Sequence, residues 1–266
     1  MSEQAVPILM YHAVAAEPSE ATRTLSVSPE SFAAQMALLA DLGCTPVTTA
    51  ALAHSWREGA ALPERPVLIT FDDGYEGVHR HALPALARHG FASTLFVSTG
   101  WIRGDHDTGG GLDTMLDWDQ IRELAGSGVE IGGHSHTHPQ LDQLDDDALW
   151  FELLHCTQII TDELGPRPVS FAYPYGYSSR RVRNTVRQAG YHQSLAVGNA
   201  LARRRQGPHA LQRVTVRRST GIEEFERLVK GRAITRDFAR DRVLTKGYAM
   251  VRRARQVRRK AIRSRV

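Results

Sequence analysis

Eight short β-rich runs, each closing in glycine or polar residues, alternate with helix-patterned stretches through the first 216 residues. This alternation limits the fold more than any other feature of the chain. The runs are 6–14 (VPILMYHAV), 44–50 (CTPVTTA), 66–74 (PVLITFDDG), 92–100 (ASTLFVSTG), 128–135 (GVEIGGHS), 169–176 (VSFAYPYG), 193–198 (QSLAVG) and 211–216 (LQRVTV). Strand followed by helix, repeated along a chain, implies parallel pairing, because a parallel neighbour is reached only through a long crossover. The intervening stretches carry their own helix signals. Ser28 stands before Pro29 and Glu30, with Gly43 at the far end, and residues 116–128 and 144–165 each pair an acidic start with a glycine stop. The expected fold class is α/β, a distorted (β/α) barrel of about seven parallel strands. A chain of 266 residues with 42% hydrophobic content accommodates it as one unit.

In such a barrel chemistry gathers at the C-terminal ends of the strands. The polar residues there are His12, Asp72, Asp73, His134, Ser135, His136 and Tyr175. The stretch GGHSHTHPQL (132–141) sets His134 and His138 four apart with His136 between them, and a metal site needs a third group from elsewhere. LITFDDGY supplies one. Asp72 and Asp73 are adjacent at a strand end, so their side chains point in different directions. Asp73 completes a His₂Asp set at about 2.0–2.2 Å per ligand, with room for a water whose pKa the metal lowers, while Asp72 stays free as a base. Alone, Asp-Asp-Gly reads most simply as a turn; its pairing with the histidines at two strand ends of one barrel favours a hydrolase site.

With those motifs in view, TFDDG (70–74), HSHTHPQL (134–141) and FAYPYG (171–176) resemble the first three motifs of the polysaccharide deacetylases, the NodB-homology group or carbohydrate esterase family 4. PILMYHAV and TLFVSTGWI extend the resemblance over roughly residues 7–216. The resemblance implies a divalent metal, most often Zn²⁺, on Asp73, His134 and His138, and Asp72 as the base that takes a proton from its water. It implies the Tyr175 backbone N–H as an oxyanion donor. It also implies that His136 falls at a variable position, that Ser135 orients the loop, and that Pro139 and Leu141 anchor it. The chain departs from the family in two places. Ala172 stands where many members carry an arginine that holds the base aspartate, and no later motif after residue 176 supplies the general acid. His12, closing the first strand at the same face, is the candidate catalytic partner; His192 and His209 are weaker ones.

Charge divides the chain. Residues 231–266 carry 11 Arg and 2 Lys against Asp237 and Asp241, a net +11, which leaves −7 for residues 1–230. The expected organisation is therefore a barrel over 1–230 and a basic tail over 231–266. Within 242–266, Val243, Met250, Ala254, Val257 and Ala261 share a helical stripe among arginines. That pattern suits peripheral contact with an anionic membrane or a solvated tail, and the sequence does not choose between them. Nucleic acid is disfavoured, since no binding motif or aromatic platform accompanies the charge. No secretory signal or spanning apolar run is evident, so a cytoplasmic location is expected, with membrane contact only peripheral. Cys44 and Cys156 lack zinc or disulfide spacing and read as free thiols. Residues 100–118, with a glycine triplet, read as a mobile loop by the site, with Trp101 and Trp118 as sugar-stacking or core residues.

The expected function is metal-dependent hydrolysis of N-acetyl groups on the amino sugars of a poly- or oligosaccharide, such as an exopolysaccharide intermediate. Removal of an N-formyl or O-acetyl group and non-catalytic glycan binding stand as alternatives.

Overall fold

The computed structural model describes residues 5–232 and 234–239. Each of the eight runs contributes a strand: β1 (Ile8–Tyr11), β2 (Thr45–Pro46), β3 (Pro66–Phe71), β4 (Ser93–Val97), β5 (Val129–Gly133), β6 (Ser170–Ala172), β7 (Gln193–Leu195) and β8 (Val214–Thr215). Every strand pairing is parallel, in the order β7-β6-β5-β4-β3-β1-β8, with β2 paired to the first residues of β3. The segment around β8 joins the two ends of the sheet. Val214 and Thr215 pair with Leu9 and Met10 of β1, while Leu211 bridges Leu195 of β7 and its carbonyl accepts from Ala196 N at 2.8 Å. The sheet thus curls into a distorted (β/α) barrel.

The helices are α1 (Pro29–Asp41), α2 (Thr49–Glu58), α3 (Leu83–Ala87), α4 (Trp118–Gly126), α5 (Asp146–Leu164), α6 (Arg180–Gln188), α7 (Ile222–Val229) and α8 (Ile234–Asp237). Their starts are set by local chemistry. Ser28 Oγ accepts from Ser31 N at 3.2 Å ahead of α1, Asp117 and Gln120 form a reciprocal capping box on α4, and Asp145 Oδ1 accepts from Ala148 N at 2.9 Å on α5. No helix among the described residues is long and apolar enough to cross a membrane.

Alternation along the strands sorts the core into two layers. Leu9, Tyr11, Ile69, Phe71 and Leu95 pack outward with Phe32 and Met36 of α1 and Ile121 of α4. Ile8, Leu68, Phe96, Ala172, Leu195 and Leu211 belong to a separate buried cluster. Gly132 of β5 is required by this second cluster, because a Cβ there would lie 2.6 Å from the Phe96 ring and 2.9 Å from Ser170 O. Trp118 lies in the outer layer and is 6% exposed, which settles it as a core residue. Ile234 and Phe238 are buried against Val214 and Leu228, so packing on the barrel continues past residue 230. The stripe residues at 243–261 lie outside the described residues.

Candidate active site

The C-terminal ends of β1, β3, β5 and β6 deliver the site. Asp72 and Asp73 follow β3, His134 follows β5, Tyr175 lies in the turn after β6 and His12 follows β1. With Trp101, Leu25, Leu112 and Asn199 they line one cavity of about 420 Å³.

His134 Nε2 and His138 Nε2 each lie 3.3 Å from Asp73 Oδ1, and one ligand atom from each of the three residues falls within 4.8 Å of the others. His134 Nδ1 is 2.7 Å from Ala172 O, a contact that requires the proton on Nδ1. In the neutral ring Nε2 then presents a lone pair to the cavity, the arrangement that orients metal-ligating histidines. Asp73 Oδ1 is buried and left without a hydrogen-bond partner. A carboxylate oxygen orphaned between two imidazole nitrogens is the donor set a divalent cation satisfies, so these residues fit the implied metal.

The electrostatics agree with that fit. Burial pushes His138 down to about 4, so its ring is neutral at pH 7. Burial also opposes charging of His134, but Asp72 and Asp73 together outweigh it and raise that pKa. Burial would raise Asp73 as well, yet the rings of His134, His138 and His12 together hold it below the usual carboxylate range. A proton thus competes with a cation for His134 Nε2. Cation affinity, measured by calorimetry, is expected to weaken by up to about tenfold per pH unit as the pH falls through the raised pKa of His134. A pH-independent affinity would remove His134 from the ligand set.

Backbone strain gathers at the same place. The non-glycine residues with positive φ among the described residues are Asp73 (76°), Ser135 (67°), His138 (58°), Tyr175 (58°) and Asn199 (47°). Four of them line the cavity, and Ser135 holds the loop between the two histidines by accepting from His138 N at 3.1 Å. Strain of about 1–3 kcal/mol per such residue persists only where surrounding structure fixes it. The His138 ring is flanked by Trp101 (centroids 4.6 Å apart) and Tyr175 (4.7 Å). Trp101 is the tryptophan at the site. Leu141 is fully buried and anchors the far end of the histidine loop.

Asp72 is fixed by a residue the sequence motifs do not contain. Arg213, just before β8, donates from Nη1 to Asp72 Oδ1 and from Nη2 to Oδ2, both at 2.7 Å. The guanidinium is fully buried, donates also to Thr70 Oγ1 (3.3 Å) and Ala196 O (3.4 Å), and lies 5.8 Å from the Phe96 ring centroid. Burial alone would raise the Asp72 pKa; the Arg213 charge, with His134 and His12, lowers it below the usual value. The contact that Ala172 cannot make with Asp72 is made by an arginine 41 positions further along the chain. The readable signal was a single arginine inside the apolar run LQRVTV, where a buried charge demands a buried partner.

His12 is half-buried, lines the cavity, and has a buried Nδ1 without a hydrogen-bond partner. His136 turns elsewhere, its Nδ1 lying 3.0 Å from Thr99 Oγ1. His209 Nδ1 lies 3.0 Å from Ser194 Oγ, and His192 lines a different recess with Trp56; neither lines the catalytic cavity. The 100–117 segment is strapped down at the cavity rim, where Asp113 Oδ2 accepts from Ser19 N and Thr22 Oγ1, both at 2.7 Å. Gly110 and Gly111 serve close packing: a Cβ on Gly110 would sit 2.2 Å from Trp101 Nε1 and one on Gly111 2.6 Å from Met115 Cγ.

A parallel barrel that brings an Asp-His-His donor set and an arginine-held carboxylate to its strand ends has the make-up of a hydrolase. Residues 59–194 match the family model described as polysaccharide deacetylase. The chain belongs to the polysaccharide deacetylase family and is a hydrolase of that class. It is 28% identical over 211 residues to YxkH of Bacillus subtilis, which carries a polysaccharide deacetylase designation, covering 79% of this chain and 71% of that one. It is 23% identical over 252 residues to the poly-β-1,6-N-acetyl-D-glucosamine N-deacetylase of Escherichia coli, covering 82% of this chain but 37% of that protein. In fold it matches the Streptococcus pyogenes deacetylase PplD, solved with acetate, at a TM-score of 0.78 and 22% identity, over 86% of this chain and 99% of that one.

Proposed function

We propose that this chain is a divalent-metal-dependent N-deacetylase acting on the N-acetylated amino sugars of a poly- or oligosaccharide. The observation that carries the reading is the meeting, in one cavity, of the Asp73, His134 and His138 donor atoms with an Asp72 carboxylate locked by Arg213. The E. coli relative, named for an N-acetylglucosamine polymer, supports the substrate class.

Two imidazoles and one carboxylate suit zinc, which supplies Lewis acidity to an acyl carbonyl and lowers the pKa of a water. The chain's own groups divide the rest of the work. Asp72, held ionised by Arg213, accepts the proton that water loses as its oxygen attacks the acetamide carbon. The Tyr175 N–H donates to the oxygen on which negative charge develops. His12 protonates the departing nitrogen as the carbon–nitrogen bond breaks, so the products are acetate and a free amine.

His12→Ala is expected to lower kcat on an N-acetyl sugar by about 10²–10⁴-fold with cation content unchanged. An aryl acetate, whose leaving group needs no proton, should be far less affected. Unchanged kcat on the amide would take His12 out of the mechanism. Product analysis tests the acyl group itself: incubation with N-acetyl-, N-formyl- and O-acetyl-glucosamine oligomers should yield acetate from the first at the highest kcat/KM. Preferential release of formate, or of acetate from the ester, would reassign the substrate.

We also propose that the basic segment 231–266, which is anchored on the barrel through Ile234 and Phe238, contacts an anionic membrane surface from the cytoplasmic side. The charge division between the two segments supports this. Co-sedimentation with phosphatidylglycerol vesicles should be lost on deleting 240–266, and binding equal to that of neutral vesicles would contradict it.

A further inference from the structure

Beside the catalytic cavity lies a second recess of about 740 Å³, lined by Arg23, Thr24, Leu25, Arg217, Arg218 and Ser219. Leu25 and Arg217 line both, so the two spaces adjoin. Among the described residues that line this recess, Arg23 and Arg218 bring guanidiniums beside Arg217 and none brings a carboxylate. Arg218 is held in place by neutral oxygens: Nη1 donates to Ser26 Oγ at 3.2 Å and Ala15 O at 3.4 Å, and Nη2 to Ala16 O at 3.1 Å. Its position is thus fixed by the 15–26 loop while its charge is not neutralised by it. Arg217 is steadied by the Phe238 ring, 5.3 Å from its guanidinium carbon, and by its own N–H donating to Thr220 Oγ1 at 3.0 Å. Arg23 is exposed at the rim. The Arg23 and Arg218 charges, set beside an active site, select for an anion on the substrate.

We propose that this recess binds a phosphoryl group carried by the N-acetylated sugar, so that the preferred substrate is a sugar phosphate or a lipid-linked sugar pyrophosphate rather than a neutral oligomer. This rests on the deacetylase reading of the adjoining cavity. A phosphoryl group matches the recess better than a carboxylate, which one arginine fork saturates. A phosphoryl group offers three oxygens and up to two charges to the Arg23 and Arg218 guanidiniums at once.

The test compares kcat/KM for N-acetylglucosamine 1-phosphate, for prenyl-pyrophosphoryl N-acetylglucosamine in detergent micelles, and for the neutral methyl glycoside. The zinc-loaded wild type, Arg23→Glu and Arg218→Ala are each assayed. Wild type should favour the phosphorylated sugars by about tenfold or more through KM, with the preference falling about tenfold per arginine removed and with rising salt. A higher value for the prenyl substrate than for the soluble phosphate identifies a lipid headgroup as the source, and equal values identify the phosphoryl group alone. Equal kcat/KM for the neutral and phosphorylated sugars in wild type would overturn the proposal. So would a preference that survives both substitutions, since the phosphate would then be held by the cation. If no substrate is hydrolysed, calorimetry with N-acetylglucosamine 1-phosphate separates the two readings. Binding that Arg23→Glu abolishes upholds the recess while the deacetylase reading fails, and no binding by wild type overturns the recess as well.

Discussion

Asp72→Asn is expected to lower kcat for acetate release by about 10²–10⁴-fold, the range that removal of a positioned general base produces, with cation binding at Asp73, His134 and His138 retained. The expectation follows from the division of labour between adjacent carboxylates. Asp73 Oδ1 faces the Nε2 atoms of both histidines, whereas both oxygens of Asp72 accept from Arg213. Asparagine preserves the shape and one acceptor for Arg213 but cannot take a proton at neutral pH. Stability will also fall, because the buried Arg213 charge loses its counterion, so kcat must be compared well below the unfolding transition of the variant. Metal content measured alongside makes the result decisive: lost turnover with full metal assigns Asp72 to proton transfer, and lost metal would make it a ligand.

Arg213→Met should produce the largest loss of stability of any single substitution at the site, about 3–5 kcal/mol, because it leaves a buried carboxylate without its partner. At about 2–4 °C of Tm per kcal/mol for a domain of this size, the transition should drop by roughly 6–20 °C. The pH dependence gives the loss a signature. In the native protein the Asp72 pKa is lowered, so its paired carboxylate contributes stability above the unfolded-state pKa, and that contribution is lost as pH falls through the folded value. Without Arg213, burial raises the Asp72 pKa instead, and protonation then relieves the variant. The deficit measured by denaturant unfolding should therefore narrow from pH 7.5 toward pH 5, and combining Arg213→Met with Asp72→Asn should recover part of it. A deficit that stays constant across this range would mean that lost packing against Phe96, not the uncompensated charge, is what the substitution costs.

What could be read from the sequence was local. The eight strand runs announced a parallel barrel because apolar alternation and helix caps are set within a few residues, and the Asp73, His134 and His138 set was legible because strand-end geometry projects those side chains to one face. The runs were nevertheless longer than the strands they contain: 6–14 yields Ile8–Tyr11, and 66–74 yields Pro66–Phe71. Their polar ends left the ladder to form the loops that carry the site. Arg213 was hidden for the opposite reason. It lies 141 positions from Asp72, just before a strand whose role in joining the two ends of the sheet is a long-range property that no local pattern encodes. Position 172, where the family motif places that arginine, is fully buried with Phe96 and Leu195, so small size is what the chain needs there. Trp118 illustrates a choice that only packing could make: spacing left it between sugar platform and core, and its place in the outer layer beside Ile121 and Leu124 makes it core.

The central claim, that this cavity hydrolyses an acetamide with a cation held by Asp73, His134 and His138, is tested most directly by acetate release from N-acetylglucosamine oligomers. Wild type would be assayed after chelation and again after zinc add-back, beside His134→Ala treated identically. The account predicts no release from the chelated wild type, recovery on add-back, and none from the variant at any zinc concentration that leaves it folded. Undiminished release from the chelated wild type, or full zinc-restored activity in His134→Ala, would contradict it.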